Sequence, residues 1–144
     1  MNIKPADAQK LILSQISEIY NLKITKTQKL KEVWCLSVSD MKKFASWTAT
    51  GRINDNSEWQ PSSMNVDEKG FYEGQSNDMT TLAAGLEKFG NAIFTTDSSV
   101  KAQITVEKLP LKSTTELAKI LFDKYGIALK KVKKMIHIIE ITTK

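Results

Sequence analysis

Scarcity marks this chain: one cysteine, one histidine and one arginine among 144 residues. The lone Cys35 excludes a disulfide within the chain. With His137 as the single imidazole, a tetrahedral site of nitrogen and sulfur ligands lacks donors, so neither a metal nor a cofactor is expected. Phosphate-cradling glycine loops are missing too. Neither "TATGR" nor "AAGLEKFG" has the required spacing, and Gly85 in the second reads as close packing within a helix. The carboxylates of "DEKGFYEG" and "NDNSE" lack calcium-loop spacing. No apolar run approaches the roughly 18–20 residues a spanning helix needs, and "MNIKPADAQK" carries no apolar signal region.

The shortage of arginine qualifies the charge. Net charge is +5, but Arg52 stands alone among 21 basic residues, the rest being lysines. Guanidinium is the group that reads phosphates and base edges bidentately, whereas lysine is the routine solubilising residue. A lysine-coated fold is the expectation. A nucleic-acid or anionic-surface face is the alternative.

What is present fits an ordinary folded domain, with 41% hydrophobic and 26% charged residues. A chain of this length buries roughly 68–70% of its unfolded surface and needs no covalent staple.

The apolar pattern recurs. "ADAQKLILSQISEIY" sets Ala8, Leu11, Ile12, Ile16, Ile19 and Tyr20 at helical spacing, with Pro5 suited to the first turn and Asn21 to the stop. "DMTTLAAGLEKFG" repeats the plan with Asp78 as cap, Met79, Leu82, Ala83, Leu86 and Phe89 as stripe, and Gly90 as stop. "STTELAKILFDKYG" does so again, with a Ser113–Glu116 capping box, Leu117, Ile120, Leu121 and Tyr125 inward, and Gly126 last. Each helix is followed by two β-like runs: "LKITKT" and "EVWCLSV", "NAIFTT" and "VKAQITVE", "IALKKV" and "MIHIIEI". The spacing predicts a single α+β domain over 1–144. Helix–strand–strand units recur at 5–43, 78–108 and 112–143, their helices on one face of a mainly antiparallel sheet. On this plan "QKLK" and "KKVKK" are hairpin turns, the lysines discouraging edge pairing.

The connecting segment 44–77 differs. Net charge is −4 over 44–80, against +4 before and +5 after. Two of the three tryptophans, Trp47 and Trp59, lie in it with Arg52, in loop-like surroundings that often carry binding function. These three are the candidate ligand-binding residues, for a glycan, a peptide or a partner protein. Alternatively, both indoles fold back as lids over the core. "KGFYEG" fits a short strand bounded by glycines. No catalytic residue is expected. Cys35 in "VWCLSV" reads as a buried apolar residue, and His137 in "MIHIIEI" as structural, near a hairpin end.

Three stretches, "EIYNLKITKTQKLKEVWCLSV", "LAAGLEKFGNAIFTTDSSVKAQITVE" and "LAKILFDKYGIALKKVKKMIHIIEI", follow each other in an order that resembles a known family. It is the "soil-associated" bacterial family of unknown function, related domains of which form the C-terminal region of thioredoxin-like proteins of Bacteroidetes. Ser99 and Lys101 stand where that family carries glycines. The resemblance implies a periplasmic or otherwise extracytoplasmic module, part of a larger envelope protein, with no assigned activity. Together with the loop composition and the lysine-dominated charge, the expectation is a non-catalytic binding module for a protein partner or envelope component rather than nucleic acid. It assigns no catalytic residue. The last helix–strand–strand stretch is also similar to the short domain that opens secretins and TonB-dependent receptors, which favours protein–protein contact.

Overall fold

The computed structural model describes residues 4–51 and 59–144. In chain order these are α1 (Pro5–Tyr20), β1 (Leu22–Val38), α2 (Met41–Ser46), β2 (Ser63–Val66), β3 (Phe71–Asn77), α3 (Met79–Phe89), β4 (Phe94–Thr96), β5 (Ile104–Pro110), α4 (Thr114–Tyr125) and β6 (Ile127–Thr143). The class is α+β, as expected. The strands form two sheets rather than one, in the orders β4-β1-β6 and β2-β3-β5. β2 and β5 both pair with β3 antiparallel, while β4 lies parallel to β1, with Trp34 opposite Phe94.

The helix signals hold. α1 opens on Pro5 and closes on Asn21 in the left-handed region at φ 51°. Asp78 accepts from Thr81 N–H at 2.7 Å to start α3, and Ser113 accepts from Glu116 N–H to start α4. Gly126 ends α4 with φ 71°, and a Cβ there would run into the Asp40 carbonyl. Gly90, by contrast, is extended.

The hairpins do not form. β1 and β6 are each unbroken for 17 residues, so "QKLK" and "KKVKK" sit inside strands, and β1 pairs with β6. The physical reason lies in the composition: neither run contains Gly, Pro, Asn or Asp, the residues that make tight reversal inexpensive. Lysine is compatible with a turn but does not create one. Likewise β4 and β5 enter different sheets, so the second expected hairpin is absent as well. β3 covers the expected "KGFYEG" strand, whereas α2, capped by Asp40 accepting from Lys43 N–H, was not foreseen.

Two compact units result. The terminal unit comprises Met1–Lys31 with Lys134–Lys144, and the central unit Glu32–Lys133. The core of the central unit is built from the expected stripes, Leu82 and Leu86 of α3 and Leu117, Leu121 and Tyr125 of α4, joined by Leu36, Phe44, Tyr72, Ile104 and Leu109. α3 packs on β3 and β4, and α4 on β5 and α2. Gly85 is needed for that packing, because a Cβ on it would overlap the Tyr72 hydroxyl.

Within this core, Asn77 is the polar residue buried among the described residues. The Tyr72 hydroxyl donates to Asn77 Oδ1 at 2.7 Å, and Asn77 Nδ2 donates to the Ser63 and Gln75 carbonyls at 3.0 and 3.1 Å. This one amide ties β2 and β3 together while satisfying the Tyr72 hydroxyl. Burial pushes the Tyr72 phenol up to about 12.

Candidate interaction surfaces

The candidate tryptophans have different surroundings. Trp47 follows α2 directly, and its indole N–H donates to the Lys124 carbonyl at 2.8 Å, one of the last carbonyls of α4. Its ring lies 4.9 Å from that of Tyr125, tilted by 52°, and Lys124 Nζ stands 4.9 Å from its centroid. Trp47 thus covers the C-terminal end of α4, with its polar edge and one face already engaged. That geometry is a lid.

Trp59 is held otherwise. It is half exposed and lines an open groove of about 320 Å³ with Asp78, Met79, Thr80 and Val100. Asp78 spends one carboxylate oxygen on capping α3. Arg52 lies outside the described residues. Of the expected trio, Trp47 packs on the end of α4 and Trp59 lines the groove at the start of α3.

Another open hollow, of about 460 Å³, is lined by Asp67, Glu68, Lys69, Phe71 and Lys108. Lys108 has φ 56°, at an irregularity in the β3–β5 pairing, and Asp67 accepts from the backbone N–H groups of Lys69 and Phe71. Two carboxylates beside two ammonium groups leave this hollow without a single charge sign to select a ligand.

Cys35 is buried in the central unit. His137 is exposed on β6 in the terminal unit, 3.5 Å from Gln28 Nε2, and so sits mid-strand rather than near a turn. Among the described residues, no three His, Cys, Asp or Glu side chains assemble into a metal-binding group. No described helix is long and apolar enough to cross a membrane.

Because "KKVKK" is strand, its lysines divide between two faces. Lys131 and Lys133 point one way, Lys130 and Lys134 the other. Lys131 is further occupied at the Trp34 ring, 5.2 Å from its centroid, and lies 3.9 Å from Glu32. A hairpin turn would have presented these charges as one cluster, and a strand does not.

The most unusual surface is in the terminal unit. α1 has no buried residue at all, and Leu11, Ile12, Ile19 and Tyr20 are 51, 55, 74 and 68% exposed. On the strands of the same unit Leu30, Met135, Ile139 and Ile141 are also exposed. Single exposed apolar residues are ordinary, but several on one helix and its unit mark a contact surface. The signal was readable as an amphipathic stripe. What the sequence alone left open was whether the stripe is covered. Comparison of the chain with protein-family models, with curated proteins and with solved structures gives no match.

Proposed function

We propose that this chain is a non-catalytic interaction module that docks a protein partner through its terminal unit. One observation carries the reading: a 16-residue helix with a regular apolar stripe and no buried residue. Isolated helices of about 12–15 residues are marginal in water, and in proteins most of their stability comes from packing an apolar face. Ala8, Leu13 and Ile16 of α1 are half-buried, but Leu11, Ile12, Ile19 and Tyr20 remain exposed and are the side chains that a partner would cover. The lid geometry of Trp47 and the mixed charge around Lys108 make these weaker sites for a ligand. An extracytoplasmic setting within a larger envelope protein rests on the family resemblance, and fractionation of cells expressing the native gene tests it.

The contact role is tested with the double substitution Ile12→Glu and Ile19→Glu. If these side chains serve a partner, the isolated protein keeps its thermal midpoint within a few degrees and binds less of a hydrophobic dye such as ANS. A loss of midpoint comparable to that of a core substitution would show that they are already packed, and would refute the reading.

A further inference from the structure

We infer that the groove walled by Trp59 is a separate binding site, taking one neutral sugar ring of a glycan. It lies wholly within the central unit and is independent of the contact role of the terminal unit.

The groove is held in shape by a side chain outside it. Gln60 N–H donates to Gln103 Oε1 at 2.9 Å, and Gln103 Nε2 donates back to the Gln60 carbonyl at 2.6 Å. The same Nε2 donates to the Ser76 carbonyl at 2.9 Å. One amide thus fastens together the three stretches that supply the walls, 59–60, 76–80 and 98–103. Met79 and Val100, both buried, anchor the lining in the core. A half-exposed indole on so fixed a backbone has little left to order when a ligand arrives, which lowers the cost of binding.

The polar groups around it keep bonding capacity. Asp78 caps α3 through Oδ1, and its Oδ2 has no hydrogen-bond partner among the described residues. The Thr80 and Ser99 hydroxyls have none among them either. Ser98 Oγ accepts from Val100 N–H at 3.2 Å, which leaves its own hydrogen to donate.

Chemistry narrows the ligand. Asp78 and Lys101 place one charge of each sign on the walls, so an anion is repelled by the first and a cation by the second. A wholly apolar ligand would strip water from the carboxylate and the hydroxyls without replacing it. What remains is a neutral molecule with many hydroxyls and one apolar face. A pyranose ring is such a molecule. Its C–H face suits the electron-rich face of the indole, and its hydroxyls can donate to Asp78 Oδ2 and exchange hydrogen bonds with the serines. The volume of about 320 Å³ stands at the small end of ligand sites, which run from roughly 300 to 1,000 Å³, and suits a single ring. The groove is open, so the rest of a glycan chain can leave it.

Titration calorimetry with neutral trisaccharides of glucose, galactose, mannose and N-acetylglucosamine tests this. At least one is expected to bind the parent with a dissociation constant of about 1 mM or tighter. Trp59→Ala then weakens binding about tenfold or more, while Trp47→Ala leaves it within about twofold. Asp78→Asn retains a good helix cap but loses the charged acceptor, and weakens binding about tenfold. Circular dichroism checks that each variant is folded. No binding of any trisaccharide by about 50 mM overturns the inference. Binding indifferent to both Trp59→Ala and Asp78→Asn does so as well, because the sugar then sits elsewhere. A preference for arginine amide or adenosine over every trisaccharide also overturns it, giving the groove to a cation or a nucleoside.

Discussion

Replacing Asn77 with alanine tests the account of the central core most directly. The side chain is fully buried and makes three hydrogen bonds: one from the Tyr72 hydroxyl and two to the Ser63 and Gln75 carbonyls. Each such bond contributes about 1 kcal/mol net, and a buried group left without a partner costs roughly 1–3 kcal/mol more. The two carbonyls are only part-buried and recover partners in water, whereas the Tyr72 hydroxyl does not. The sum is about 4–6 kcal/mol, a large share of the roughly 5–15 kcal/mol that holds a domain together. For a folding unit of about 100 residues this lowers the thermal midpoint by roughly 12 °C or more. Urea unfolding followed by tryptophan fluorescence measures it. Tyr72→Phe alone should cost about 2–4 kcal/mol, because it loses one bond and strands only the amide oxygen. The double variant should cost less than the two single values added, since each substitution removes the partner whose loss makes the other expensive. A cost below 1 kcal/mol for Asn77→Ala, or strict additivity, would refute a shared buried network.

Other consequences can be checked in the same apparatus. Gly85→Ala drives a methyl group into the Tyr72 hydroxyl and should destabilise by about 1–3 kcal/mol, although alanine is the better helix former. Trp47→Ala loses the bond to the Lys124 carbonyl and the contact with Tyr125, and should cost about 2–3 kcal/mol in urea unfolding. Trp59→Ala, at a half-exposed indole, should cost under about 1 kcal/mol, and equal costs would refute the distinction between lid and groove wall. The Tyr72 phenol is raised from 10.0 to about 12 in the folded chain, so between these values the unfolded chain loses a proton that the folded one keeps. Stability attributable to Tyr72 is complete below pH 10 and is lost as pH rises toward 12. The midpoint of the parent should therefore fall more steeply over that window than that of Tyr72→Phe, and parallel slopes would refute it.

The sequence by itself determined α1, α3 and α4, because their signals are local. A cap such as Asp78 or Ser113 satisfies N–H groups of its own first turn, and Asn21 or Gly126 reverses the chain through its own φ. The stripes of α3 and α4 also named much of the core, and Gly85 could be recognised as a packing glycine. The α+β class followed. The partners of the strands were a different matter. Two β-like runs in succession suggest a hairpin, but a hairpin needs residues that turn cheaply, and β1 and β6 contain none. Their absence is visible in the sequence, and lysine does not supply the backbone freedom that a reversal needs.

Tertiary structure alone decided that β1 pairs with a strand about a hundred residues away, that β4 and β5 part into different sheets, and that the two candidate tryptophans serve different helices. It also decided which stripes are covered. The same periodicity yields buried residues on α3 and α4 and none on α1. Periodicity records which side of a helix avoids water, a property of neighbouring residues. What it is hidden against depends on where distant parts of the chain, or another chain, come to lie.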